Sequence, residues 1–382
     1  MGYSEGMNPY QSGDAVTGDL FTDRADLVKR LREAMLNHQN VVLIGPRRYG
    51  KSSVVREAQG KAKRQGGRVA FANLANCNTR EDVVEVLANA IMRDALSWLK
   101  GSLDALRERV GRTGIGLDIH PTMEGAFALK LIGEKKPPEF KQSVGTLVRL
   151  LAEAAASEGK PAALLIDEVQ RVLEIEEGMP GTIKMIVDEV PSVSYVMCGS
   201  QRKLMESLVI GEDAPWLGIG DLILVGTIDR TPMVRFLRDR CEFGSKSMDP
   251  GVAEEIYDAG RGVPYYIQQL AYHAFAQADR EVTRAAVEAG LRVLETDQGS
   301  WYQALAGRIN TSQRRVLAAL AVEPTATPYD RDYIHGHRLP STSTVQSSLA
   351  SLEKTELVEQ GPGGVWRLAN PFLEGWLQRQ AV

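Results

Sequence analysis

The residues of this 382-residue chain best suited to chemistry lie in three short stretches, each preceded by an apolar run. The first, Gly45-Pro46-Arg47-Arg48-Tyr49-Gly50-Lys51-Ser52, fits the spacing GxxxxGK[ST] and follows Val41, Val42, Leu43 and Ile44. Successive backbone N–H groups in such a loop can all point at a triphosphate, provided side chains do not intrude, and Gly45 and Gly50 leave that room. The helix expected to start next adds the positive end of its dipole, and Lys51 adds a full charge against the outer phosphates. Ser52 offers a hydroxyl to Mg²⁺, and Ser53 closes the set of residues expected around the nucleotide.

The second stretch, Ala163-Leu164-Leu165-Ile166-Asp167-Glu168, ends an apolar strand in two acids. Beside a phosphate loop, Asp167 suits the metal and Glu168 suits polarising the attacking water. The third, Tyr195-Val196-Met197-Cys198, runs into Gly199 and Ser200. Ser200 is placed either to bond the water or terminal phosphate, or to cap a helix starting near Gln201. Arg202 is placed either to neutralise charge developing in phosphoryl transfer, or to sit on a solvated helix face. His38, His120, His273, His335 and His337 have no Cys partner and no HExxH spacing, so no zinc chemistry is indicated.

These stretches need a scaffold, and strand and helix alternate along the chain. Apolar runs at Val41–Ile44, Val69–Leu74, Ala163–Ile166, Tyr195–Cys198 and Leu222–Val225 read as strands buried on both faces. Amphipathic helices at Glu81–Leu96 and Phe140–Glu158 lie between them, and another, with Asp23 placed to cap it, precedes the first strand. The pattern predicts an α/β fold with a parallel sheet covered on both faces. Lys51 and Asp167 stand 116 residues apart, and Gly-rich text over about 98–137 accounts for the excess as an insertion, a helix plus a hairpin. Residues 1–20 read as an extended lead segment, 21–230 as the core, 231–300 as an all-helical lid and 301–382 as helix, helix, helix, hairpin, the order of a winged helix.

Composition narrows the function classes. With 45 basic and 49 acidic residues, the net charge of −4 argues against nonspecific coating of nucleic acid or membrane. Three cysteines without a CxxC pair suggest neither a disulfide framework nor a metal ribbon. With no secretory leader and no apolar run of membrane-spanning length, the expected location is cytoplasmic, away from any membrane.

Asn8-Pro9-Tyr10, Phe21-Thr22-Asp23-Arg24, the phosphate loop with its paired arginines, Asp167-Glu168-Val169-Gln170, Gly199-Ser200-Gln201-Arg202 and Gly262-Val263-Pro264-Tyr265-Tyr266 together resemble the archaeal-type ATPases. That family sits near the origin-recognition and STAND branches of the AAA+ P-loop NTPases. The resemblance implies core strands in the order 5-1-4-3-2, a helical lid and a C-terminal winged helix. It implies that Phe21 and Arg24 line the adenine end and that Pro264 and its neighbours bring the lid onto the nucleotide. The sequence departs from the family at Asp23, where glycine is usual, and over Ala214–Gly218, which lacks an arginine. An intersubunit arginine finger, and with it a ring, is therefore not indicated, although Arg230, Arg235, Arg238 and Arg240 are substitutes to weigh and a homo-oligomer remains open.

Seven basic and seven acidic residues balance over 310–382, so no broad electrostatic footprint for DNA exists there. Ser341 to Gln346 open the helix that would enter a major groove, which leaves a DNA reader and a protein-docking module as equal expectations. The expected function is a Mg²⁺-dependent ATPase that uses ATP binding and hydrolysis to ADP to switch conformation and act on DNA or a protein partner. The alternative is a slowly hydrolysing, nucleotide-gated DNA-binding regulator. A kinase is weaker, because no acceptor pocket is legible.

Overall fold

The computed structural model describes residues 7–96, 117–121, 127–131 and 139–380. The chain divides into two compact units, Ala15–Gly226 and Thr227–Val382, the second joined by Met1–Asp14.

In the first unit α1 (Ala25–Leu36) precedes β1 (Val41–Ile44), α2 (Lys51–Arg64), β2 (Arg68–Asn73) and α3 (Arg80–Leu96). A hairpin of β3 (Leu117–Pro121) and β4 (Phe127–Leu131) follows, then α4 (Phe140–Ala156), β5 (Ala162–Asp167), α5 (Arg171–Ile175), α6 (Met179–Glu189), β6 (Val193–Gly199), α7 (Arg202–Val209) and β7 (Asp221–Leu224). The hairpin pairs Asp118 with Lys130 in antiparallel register, as the alternating text of the insertion predicts. The helix expected beside it lies outside the described residues.

Five strands form one parallel sheet, β2-β5-β6-β1-β7. Counting core strands alone, this is the expected order 5-1-4-3-2. Every residue of β1, β5 and β6 is buried, so these mostly apolar runs need cover on both faces. That cover includes Leu87, Ile91, Leu147 and Leu151 of α3 and α4. The expectation fails at β7, where Leu222 and Leu224 are exposed. This strand is outermost, with a hydrogen-bonded neighbour on one side only.

Asp23 does not cap α1. Arg24 is the N-cap residue and supplies no side-chain hydrogen bond. Asp23 and Arg24 instead take left-handed φ values of 63° and 58°. Glycine adopts that backbone freely and Asp tolerates it, which gives the family's usual glycine at position 23 a conformational reason.

The second unit contains α8 (Arg230–Phe243), β8 (Ser247–Met248), α9 (Pro250–Ala259), α10 (Pro264–Gln277), β9 (Glu281–Val282) and α11 (Arg284–Arg308). It is not wholly helical, because β8 and β9 form a short parallel pair. Helix α11 runs through residue 300 without a break and leads into α12 (Thr311–Val322), α13 (Arg331–Gly336), α14 (Thr342–Lys354), the hairpin of β10 (Val358–Gln360) and β11 (Trp366–Leu368), and α15 (Pro371–Gln380). Tyr302, Leu320, Val345, Leu349, Leu352, Trp366 and Leu373 build the core of this last part.

Residues 7–14, read from sequence as part of an extended lead segment, are anchored in the second unit. Tyr10 is 3% exposed, donates its hydroxyl to Leu237 O at 2.5 Å and meets Phe275 edge-on. Buried Arg240 donates to Pro9 O from both Nε and Nη2. The following residues belong to the first unit, where Val16 N donates to Ser53 Oγ at 3.1 Å and Gly18 N to Glu57 Oε2.

Candidate nucleotide-binding site

Strand register brings the three chemical stretches to one edge of the sheet. Ile44 pairs with Gly199 across β1 and β6, and Ile166 pairs with Met197 across β5 and β6. Gly45, Asp167 and Ser200 therefore all leave the sheet at its carboxyl edge, where open α/β sheets bind ligands.

The loop from Gly45 to Gly50 joins β1 to α2. Gly50, at φ 83°, is the left-handed N-cap of α2, a conformation that a Cβ would strain. Gly45 has a second reason to be glycine, because a Cβ there would lie 2.6 Å from Val225 O beyond β7. Arg47 and Arg48 are exposed at the tip, whereas Pro46 and Gly50 are half-buried and Tyr49 is buried. Arg24 clamps the loop from outside, donating to Tyr49 O through Nη1 and to Gly226 O through Nη2 at 2.7 Å. Half-buried Phe21 lies three residues before it and donates its N–H to Gly18 O.

Lys51, only 5% exposed, donates from Nζ to Pro46 O at 2.8 Å, so its ammonium lies across the loop it follows. Ser52 donates its hydroxyl to Asp167 Oδ2 at 2.7 Å, while Glu168 N donates to Asp167 Oδ1. Burial, the largest influence, raises the Asp167 pKa above the ordinary carboxylate value, and the Glu168 charge adds to it. The Ser52 hydrogen bond and the Lys51 charge oppose the rise. Mg²⁺ prefers oxygen ligands and commonly takes one or two from protein while substrate phosphates and water complete its shell. The adjacent Ser52 hydroxyl and buried Asp167 carboxylate match that donor set. Among the described residues, no group of three His, Cys, Asp or Glu forms a self-sufficient metal cage.

Glu168 stands at φ 53°, a left-handed turn that redirects the chain at the end of β5. Ser200 Oγ donates to Glu168 Oε2 at 2.8 Å, and Gln170 Nε2 donates to the same oxygen. The helix beside Ser200 is capped by Gln201, not Ser200, and the Gln201 side chain donates to Glu174 Oε1 and not to the helix. Arg202 is mostly exposed and ion-pairs with Glu206 at 2.7 Å, one turn along α7. Pro264 is the first residue of α10 in the other unit. Of the lid arginines, Arg230 pairs with Asp258 and Glu254, Arg238 bonds Met248 O and Arg240 is buried on Pro9 O.

Sequence reasoning assigned no role to Gln170, although it lies in the acid-bearing box. Its place in the Asp167 to Gln170 box is the one signal the sequence carries for it, and its complete burial beside Ser200 supplies the reason.

Residues 21–194 match the family described as "AAA ATPase domain", and residues 300–379 match the one described as "Probable winged helix domain". Comparison with curated proteins finds no match. Among solved structures, a Walker-type ATPase of Pyrococcus abyssi is similar at TM-score 0.64 and 18% identity, over 94% of this chain and 97% of that one. The ORC2 protein of Aeropyrum pernix, in ADPNP–ADP complexes, is similar at TM-score 0.55 and 13% identity, over 94% of each chain. The ORC1 protein of Aeropyrum pernix, in complex with DNA, is similar at TM-score 0.50 and 15% identity, over 95% of this chain and 94% of that one. At these identities the likeness is one of fold, and the fold is that of the AAA+ P-loop ATPases.

Proposed function

We propose that this chain, which matches an AAA ATPase domain over residues 21–194 and a winged helix domain over residues 300–379, binds ATP with Mg²⁺ and hydrolyses it to ADP and phosphate. The observation that carries the reading is the pairing of Ser52 with Asp167 on one edge of the sheet, with the Glu168 carboxylate next along the chain and held by Ser200. The loop Gly45 to Gly50 would cradle the phosphates with Lys51 and Ser53 beside it, and Phe21 and Arg24 of the same unit would line the nucleotide. Bound Mg²⁺, held through Ser52 and Asp167, would supply charge neutralisation for phosphoryl transfer. Glu168 would accept a proton from, and orient, the attacking water. Ser200, and Arg202 once its pairing with Glu206 is broken, would contact the terminal phosphate that ADP lacks. That difference in contact is what lets hydrolysis change which conformation is favoured.

We further propose that the winged helix carries the action to a partner, with DNA as the first candidate. Its α14 and the N-cap Ser341 before it expose Ser341, Thr342, Ser343, Gln346 and Ser347, short donors and acceptors that can reach base edges. The balanced charge of this part implies weak intrinsic binding. The fold shared with a protein solved in complex with DNA supports the same reading.

The test is turnover by the Glu168→Gln protein, with and without DNA. Loss of the base should slow hydrolysis at least ~10²-fold while ATP binding persists. Unchanged hydrolysis would sink the assignment of Glu168, and turnover unaffected by any DNA would move the search for a partner to proteins.

A further inference from the structure

The clamp around Glu168 is asymmetric, and Gln170 makes it so. Its side chain is fully buried, with 0% exposure. Nε2 donates to Glu168 Oε2 and lies 3.3 Å from Ser200 Oγ, whose own proton goes to the same Glu168 oxygen. The three groups close a triangle on Oε2. The other end of the amide, Gln170 Oε1, is buried without a hydrogen-bond partner among the described residues. It fits only because residue 199 has no side chain. A Cβ there would come within 2.7 Å of Oε1 and 2.2 Å of Met205 Sδ.

A buried amide with an orphaned oxygen costs free energy, because desolvation of that acceptor is not compensated. Apolar residues of similar volume would fill the site without that cost, so the side chain is retained for what its nitrogen does. Two donors on one oxygen fix the rotation of the carboxylate, leaving Oε1 of Glu168 as the oxygen presented to solvent or substrate.

We infer that Gln170 is a positioning residue for hydrolysis: with Ser200 it holds Glu168 Oε2, so that the carboxylate is fixed in one rotation and meets the attacking water through Oε1. This rests on the reading of Glu168 as the base. The balance of the step is simple. Oε1 accepts one proton as the water oxygen forms its bond to phosphorus and the bond to the departing diphosphate breaks, and neither Gln170 nor Ser200 gains or loses a proton.

The experiment compares the full-length parent with Gln170→Met and Gln170→Glu in steady-state ATP hydrolysis, alongside nucleotide affinity. Met keeps the volume and removes the donors. The expected result is a fall in kcat of about 10-fold or more with KM and nucleotide affinity changed less than about twofold. Gln170→Glu keeps the volume but sets a like charge beside Glu168 in place of the donor, so its kcat should fall at least as far with nucleotide affinity again nearly unchanged. If Gln170→Met fails to fold, Gln170→Glu decides, and parental kcat in either folded variant overturns the clamp. Parental turnover by Glu168→Gln would instead defeat the underlying reading of the base, so the two failures are distinguishable.

Discussion

Ser52 and Asp167 are 115 residues apart in the chain, yet the Ser52 hydroxyl donates to Asp167 Oδ2 at 2.7 Å. One comes from the first turn of α2 and the other from the last residue of β5, and β6 lies between β1 and β5 in the sheet. The contact joins the phosphate loop to the acid pair, and the proposed Mg²⁺-triphosphate site rests on it.

Lys51→Ala should weaken ATP binding by at least ~10-fold, about 1.4 kcal/mol. The ammonium is already buried against the Pro46 carbonyl, so it can turn to phosphate oxygens without being desolvated afresh. Titration with a fluorescent ATP analogue checks this, and unchanged affinity would remove Lys51 from the site.

Asp167→Asn should stabilise the ligand-free protein at neutral pH while abolishing its response to Mg²⁺. Burial raises the Asp167 pKa in the folded state. Between the unfolded and folded pKa values the folded chain binds more proton, so stability falls as pH rises through that window and the loss is complete above it. The Asn variant escapes the loss. Calorimetry should give it a melting temperature a few degrees above the parent at pH 7, roughly 2–4 °C per kcal/mol for a domain of this size. That advantage should disappear on acidification below the ordinary carboxylate pKa.

Arg261→Met should destabilise the second unit by about 2 kcal/mol. Arg261 ion-pairs with Glu374 of α15 and donates to Leu368 O at 3.1 Å. Burial raises the Glu374 pKa against the pull of Arg261, so removing the cation strands a poorly solvated carboxylate. Adding Glu374→Gln should recover much of the loss in a thermal melt, and no recovery would show that the pair itself is not the cause.

Tyr10→Ala should cost about 3 kcal/mol and Tyr10→Phe about 1 kcal/mol, the first emptying an aromatic site and the second removing one hydrogen bond. Both follow from the 3% exposure of Tyr10 and its bond to Leu237 O. Melting curves unchanged by Tyr10→Ala would mean that the N-terminal segment is not anchored in this unit.

The chain's local text was enough for the phosphate loop, the acid pair at the end of β5, the hairpin in the insertion and the order of elements in the winged helix. Each is a pattern whose neighbours lie within a turn or a strand, where side-chain periodicity and glycine placement report directly on backbone shape. What the text could not disclose depends on distant segments meeting. The exposure of β7 follows from its place at the sheet edge, and the anchoring of Tyr10 follows from a cavity built by α8 and α10 more than 200 residues away. Gln170 is marked in sequence only by its box and becomes a holder of Glu168 only because β5 and β6 lie side by side and Gly199 yields it space. Residue types determined which chemistry is available to this protein. Packing decided which atoms face one another, because hydrogen-bond geometry between remote segments is set by the whole core and not by any stretch of it.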